Sequence, residues 1–197
     1  PTPAARAAPV ARMSSSEKFP GVSGSPETVF LGVGTNVGDR MAMIELALAR
    51  LGEILSDLRV SPVYETEPLH YRDQPSFLNA CVGGICRLAP RALLAAAFEI
   101  ERAAGRDRTR EIPKGPRPLD LDLLLFGSRV IDEVDLQVPH PRLNERAFVL
   151  RPLLDLAPDV VHPATGERLS EVHERLPHQG IYLRYEHPYT PHHGGQS

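Results

Sequence analysis

Lys114-Gly115-Pro116-Arg117-Pro118-Leu119-Asp120-Leu121-Asp122-Leu123-Leu124-Leu125-Phe126-Gly127 is the stretch on which the fold turns. It reads as an apolar strand with two carboxylates at its mouth, stopped by a glycine. Alternate residues of a strand share a face, so Asp120 and Asp122 project together with Leu124 and Phe126, while Leu121, Leu123 and Leu125 point the other way. Two like charges turned toward apolar neighbours are costly unless an opposite charge meets them. A hard cation would remove that cost. Arg117 and Lys114, just upstream, would meet anionic oxygens at the same place, and the mixture suits a phosphate bridged by Mg2+. A lone Asp-x-Asp on a strand is more often plain structure than a metal site, so the rest of the chain has to decide.

Length and charge narrow the choice. At 197 residues and 42% hydrophobic content the chain supports one good core, read here as a domain over 28–170. Residues 1–27, rich in Ala, Pro, Ser and Gly, read as a disordered N-terminal extension, and 171–197 as a C-terminal extension that is loose at its end. A net charge of −3 and a pI near 6.3 exclude a general nucleic-acid or membrane-surface binder. Basic character is local: six Lys or Arg against Asp107 and Glu111 between Arg102 and Arg117, a charge of +4 beside the Asp pair. Cys81 and Cys86 are five apart in one expected strand and face opposite ways, which makes them core thiols rather than a disulfide. No run long enough for a transmembrane helix and no secretory core is present, so a cytoplasmic, monomeric protein acting on small molecules is expected, with no nucleic-acid and no membrane partner.

In chain order, Thr28 to Val33 reads as a buried strand, followed by a helix capped by Asp39 or Asn36 with an apolar stripe at Met41, Ile44, Leu48 and Leu51. Gly32, Gly34 and Gly38 miss the dinucleotide spacing and read as turn glycines. Leu58 to Tyr64 is a second strand carrying a proline, and a long polar loop runs from Glu65 to Pro75. Phe77 to Arg87 is a third strand, Pro90 to Arg102 a helix closed by Gly105, and the Asp strand comes next. The order strand, helix, strand, strand, helix, strand predicts an α+β fold with a ferredoxin-like βαββαβ core and an antiparallel sheet. Val130 to Val138 reads as a hairpin or added strand. Asn144 to Leu156 reads as short helical pieces broken at Pro152, the start of a C-terminal helical extension.

The chain has no phosphate-binding Gly-x-x-x-x-Gly-Lys loop, no His-Glu-x-x-His and no Gly-x-Ser-x-Gly. What remains, Asp-x-Asp among arginines, serves phosphoryl-type transfer, where the protein positions reactants and neutralises charge without a covalent nucleophile. Gly115 to Phe126 resembles the signature of the 6-hydroxymethyl-7,8-dihydropterin pyrophosphokinase (HPPK) family of folate biosynthesis. Leu31-Gly-Val-Gly-Thr-Asn-Val-Gly38, Tyr64-Glu-Thr-Glu-Pro-Leu69, Asp73-Gln-Pro-Ser-Phe-Leu-Asn79 and Val138-Pro-His-Pro-Arg-Leu-Asn-Glu-Arg-Ala-Phe148 resemble further family segments in the same order, as does Leu150-Arg-Pro-Leu-Leu154.

The resemblance implies an ATP-dependent enzyme that transfers pyrophosphate from ATP to the pterin hydroxymethyl group, releasing AMP, with two Mg2+ ions. It implies Asp120 and Asp122 as metal ligands and, with Arg106 and Arg117, as the catalytic set. ATP contacts fall on Glu101, Arg106, Arg108, Arg117, His140 and Arg146, and the pterin site on Thr66, Glu67, Leu69, Phe77, Asn79 and Phe148. Departures are visible: Lys114 stands where many members carry Trp, the basic loop is one residue longer, and Phe77 replaces a common Tyr. Phe98 and Asp135 stand where polar or basic nucleotide contacts are expected. A different class, a ferredoxin-like RNA-binding module, would need stacked aromatics in its central strands and a basic face; Phe30 and Phe77 alone do not supply them. A paralogue that binds pterin without catalysis differs only in activity.

Overall fold

Two long antiparallel strands make the spine, and everything that positions the site hangs from them. In chain order the elements are β1 (Val22–Thr35), α1 (Arg40–Leu51), β2 (Ser56–Val60), β3 (Val63–Thr66), β4 (Phe77–Leu88), α2 (Pro90–Ala103), β5 (Asp120–Phe126), β6 (Ile131–Glu133), β7 (Leu136–Val138), α3 (Ala147–Leu156), α4 (Leu169–Arg175) and β8 (Ile181–Tyr185). The computed structural model describes residues 22–68, 73–109 and 115–186. Among these no helix is long and apolar enough to cross a membrane.

The main sheet has the order β5-β1-β4-β3-β8, with β2 also paired to β4 and every pairing antiparallel. The expected α+β class and strand-helix-strand-strand-helix-strand order are present, with two modifications. The second strand is divided: Pro62 has no N–H to give the ladder, and β2 ends at Val60. Ser61 bridges the gap, because its Oγ accepts from the Cys81 N–H (2.9 Å) and its own N–H reaches the Cys81 carbonyl (2.9 Å). The sheet also extends past the expected limits. β1 starts at Val22, paired with Leu88, rather than at Thr28, and residues 181–185 form an edge strand on β3.

Helices cover both faces. Ile44, Leu48 and Leu51 of α1 and Leu93, Ala97 and Ile100 of α2 bury one face with Val29, Leu31, Leu121 and Leu123. The helical extension covers the other: Val149, Leu150 and Leu153 of α3 and Leu169 and Val172 of α4 pack on Phe30, Cys81, Leu124 and Leu125. Cys86 and Cys81 belong to opposite faces, as their spacing requires, and both thiols are free. Asp39 rather than Asn36 caps α1, its Oδ1 accepting from the Ala42 N–H at 3.1 Å.

Pro152 does not break α3 as expected; the helix runs from Ala147 to Leu156 around it. The missing N–H forfeits one helical bond, which burial of Pro152, Leu150 and Leu153 against the sheet offsets. A second anchor is polar: the Tyr64 hydroxyl of β3 donates to Asp155 (2.7 Å), and Arg151 bonds both the same hydroxyl (3.1 Å) and Asp155 (2.8 Å). Residues 130–138 form the separate hairpin β6-β7.

Strand β5 departs from ideal alternation. Leu31 pairs with Leu123 but Phe30 with Leu125, so Leu124 is an extra residue and the strand carries a bulge. Past that point the faces exchange: Leu125 joins the core under α3, and Phe126 joins the core under α1 and α2. The expectation that Phe126 shares the face of Asp120 and Asp122 therefore fails beyond Leu124.

Candidate active site

A cleft opens where the ends of β1, β3, β4 and β5 lie side by side. In register across the sheet run Asp120, Gly34, Asn79 and Tyr64, and the next row holds Asp122, Gly32 and Cys81. Gly32 and Gly34 are not turn residues, contrary to the sequence expectation; only Gly38 of the three has a positive φ, +70°. A Cβ on Gly34 would stand 3.4 Å from Asn79 Oδ1 and 3.7 Å from the Asp120 Cβ. The two glycines thus leave the floor bare between the carboxylates and Asn79. About 850 Å³ of free space, its open mouth included, lies above that floor. Thr66, Glu67, Phe77, Asn79, Arg117, Asp120, Asp122, Arg146 and Phe148 line it, joined by Arg142 and Gln179.

On the β5 side a network of arginines and carboxylates forms. Glu101, at the end of α2 and 1% exposed, accepts from Arg106 (2.7 Å), from Arg108 Nε (3.0 Å) and Nη2 (2.6 Å), and from the Leu121 N–H (2.8 Å). Arg106 extends the chain to Asp120 Oδ1 at 2.5 Å, and Arg117 holds Asp120 Oδ2 at 3.0 Å. Asp122 meets Arg146 at 3.0 Å and His140 Nε2 at 3.7 Å. The His140 N–H donates to the Leu124 carbonyl (3.0 Å), and its Nδ1 accepts from the Arg142 N–H (3.1 Å). A neutral His140 therefore carries its proton on Nε2, toward Asp122.

The two aspartates titrate apart. Burial pushes Asp120 up, but the guanidinium charges of Arg117 and Arg106 outweigh it and hold the carboxyl below its usual range. Asp122 is pushed up, by burial first and by the Asp120 charge second. Burial lowers His140, reinforced by Arg146, against the attraction of Asp122. A cation between the carboxylates would relieve the repulsion that raises Asp122. Among the described residues no cluster of three or more His, Cys, Asp or Glu could hold a metal alone. Two carboxylates nonetheless fit Mg2+, which keeps waters and completes its shell with phosphate oxygens.

On the β3 and β4 side, Asn79 donates to the Thr66 hydroxyl at 2.7 Å, fixing the amide on the cleft floor. Arg117 lies 5.9 Å over the Phe77 ring and Arg146 5.9 Å over the Phe148 ring. Sequence reasoning missed what ties the two sides together. Asn36, 2% exposed, donates to Gln74 Oε1 (3.0 Å) and the Pro75 carbonyl (3.1 Å), while its Oδ1 accepts from the Arg117 N–H (2.9 Å). One amide thus clamps the loop before β4 to the loop before β5.

Every other nominated residue of the described chain joins one of these two halves; Leu69 and Lys114 fall outside the described residues. Phe98 lies under the Arg108 guanidinium at 4.3 Å, which accounts for an apolar residue at that place. Asp135 is exposed in the turn between β6 and β7. Arg142 stands in the sequence only as one residue of the Val138–Phe148 segment. Gln179 carried no periodic signal at all.

The family model of 7,8-dihydro-6-hydroxymethylpterin-pyrophosphokinase (HPPK) matches residues 30–158. The chain belongs to this family. It is 48% identical over 160 residues to the folic acid synthesis protein fol1 of Schizosaccharomyces pombe, covering 78% of this chain and 21% of that protein. To the 2-amino-4-hydroxy-6-hydroxymethyldihydropteridine pyrophosphokinase of Pseudomonas aeruginosa it is 42% identical over 158 residues, 79% of this chain and 95% of that one. The chain thus spans about a fifth of the fungal relatives it matches and nearly all of the bacterial one. The fold is shared with the solved Plasmodium falciparum HPPK-DHPS structure with SDX-DHP, at TM-score 0.63 and 15% identity, over 84% of this chain and 46% of that one. The HPPK match ends at residue 158, before α4, Gln179 and β8.

Proposed function

We propose that the chain transfers pyrophosphate from ATP to the hydroxymethyl oxygen of 6-hydroxymethyl-7,8-dihydropterin and releases AMP. The observation that carries this reading is the juxtaposition in one cleft of the Asp120/Asp122 pair, ringed by Arg106, Arg117, Arg146 and His140, with a floor and wall of Thr66, Phe77, Asn79 and Phe148. The names of the bacterial relatives support it.

In the reaction the hydroxymethyl oxygen attacks the β-phosphorus of ATP, the bond from that phosphorus to the α-phosphate oxygen breaks, and AMP leaves with the electron pair; the hydroxyl proton passes to solvent. Asp120 and Asp122 would hold two Mg2+ ions, which would supply neutralisation of the polyphosphate charge. Arg106, Arg117 and Arg146, which pair with Asp120 and Asp122, would offer their guanidinium N–H groups to the phosphate oxygens of bound ATP. Phe77 and Phe148 would hold the bicyclic ring by stacking, and Asn79 would read its amide edge. Glu101, itself held by Arg108, braces Arg106 from behind. The floor glycines let the ring lie close to the carboxylates, where its hydroxymethyl group reaches the polyphosphate.

The deciding experiment supplies ATP, Mg2+ and the reduced pterin and separates the nucleotides. AMP should appear in equal amount to pterin consumed. Absence of AMP, or production of ADP instead, refutes the reading.

A further inference from the structure

We propose that Gln179, in the segment between α4 and β8, donates a hydrogen bond to an acceptor on the edge of the heterocycle bound in the cleft, and so helps decide which ring is accepted. This rests on the reading of the cleft as a pterin site. Gln179 lines the cleft together with Thr66, Phe77, Asn79 and Phe148. Its side-chain nitrogen is shielded from solvent and finds no acceptor among the described residues. A buried amide N–H left unpaired is costly, and one that faces a ligand cleft can be satisfied by the ligand. A wall of the cleft would be built more cheaply from an apolar side chain.

The segment is also held in place. Ile181, two residues on, pairs with Thr66, and Tyr182 pairs with Glu65, so β8 is registered to the strand that carries the cleft's own Thr66. At Gly180 a Cβ would come within 3.2 Å of the Tyr182 ring, so a bare glycine lets the chain pass close between the two residues. A fused pyrimidinone presents a carbonyl oxygen and ring nitrogens, acceptors that match an N–H donor. Asn79 already spends one N–H on Thr66. Gln179 supplies a further donor from a part of the chain beyond the HPPK match, which ends at residue 158.

The test compares wild type with Gln179→Met, which keeps length and removes the donor, and Gln179→Glu, which sets a carboxylate toward the ligand's acceptor. Steady-state AMP release gives KM for the pterin and for ATP, and fluorescence titration of the pterin with a non-hydrolysable ATP analogue gives its affinity. Loss of one such bond should raise the pterin KM about three- to tenfold in Gln179→Met, and more in Gln179→Glu, with kcat and the ATP KM within about twofold of wild type. An unchanged pterin KM in Gln179→Met, equal losses for both substrates, or tighter binding by Gln179→Glu than by Gln179→Met overturns the assignment. A wild-type protein that neither binds nor consumes the pterin overturns instead the pyrophosphokinase reading on which it rests.

Discussion

Glu101→Ala removes the hub of the arginine network and tests whether that network holds the fold as well as the site. Glu101 is 1% exposed and its partner Arg106 side chain 5% exposed. The substitution deletes the acceptor of Arg106, of Arg108 and of the Leu121 N–H at the start of β5. Removing one member of a buried pair typically costs about 3–5 kcal/mol, and because Asp120 still holds Arg106 the lower end, about 3 kcal/mol, applies. Arg108, with its side chain 49% exposed, regains solvent and adds little. In a protein of this size each kcal/mol moves the melting temperature by about 2–4 °C, so a fall on the order of 6–12 °C is expected. Circular dichroism melts at pH 7 read it directly. Glu101→Gln, which keeps shape and one acceptor, should fall between alanine and wild type. A drop smaller than about 3 °C in the alanine variant would refute the view that Glu101 organises β5 and the arginines.

Other variants separate stability from chemistry. Asp122→Asn should lower kcat by about 10²–10³-fold or more, since it removes a group proposed to balance charge in the transition state. The same change should leave the pH 7 melting temperature equal to or above wild type. The folded carboxyl is raised, so its ionisation weakens folding as pH climbs from the unfolded to the folded value, and asparagine removes that loss; a clear fall in melting temperature would count against it. Asp120 has the opposite sign: its folded carboxyl is depressed, so its stability contribution is complete above the ordinary carboxylate range and lost as pH falls through the folded value. Asp120→Asn should therefore flatten the acid limb of a stability-against-pH curve, and an unaltered acid limb would disprove the assignment. Asn36→Ala cuts three hydrogen bonds between the loops, at a cost of about 2–4 kcal/mol, and should speed proteolysis near 74–75 and 115–117. Phe148→Ala should weaken pterin binding about tenfold with little effect on ATP, as read by calorimetry.

Local pattern made much of the fold legible. The 3.6-residue stripes of α1 and α2, the alternation of β5 before its bulge and the proline at 62 each act within a few residues. The carboxylate pair was legible for the same reason, and its arginine partners through family resemblance. What escaped depends on contacts between distant parts of the chain. Asn36 looked like a helix cap because its true partner, Arg117, lies 81 positions away. Gly32 and Gly34 looked like turn residues because the cleft they clear exists only once β4 and β5 flank them. Pro152 looked like a breaker because burial under the sheet cannot be seen in a single helix. Residues 181–185 lacked a two-sided apolar pattern, since an edge strand with Tyr182, Leu183 and Tyr185 exposed buries little.

Leu124 is the position that the ladder with β1 leaves over, and its carbonyl is the one that catches the His140 N–H. The irregularity is therefore the address at which the imidazole is delivered beside Asp122. Four consecutive apolar residues, Leu123 to Phe126, give no outward sign that the length of this run matters. Deleting Leu124 would restore a regular ladder and keep Leu125 and Phe126 in their layers, yet it would empty a fully buried side-chain position and leave His140 without its anchor. The strand can exchange its leucines for similar residues far more readily than it can lose one.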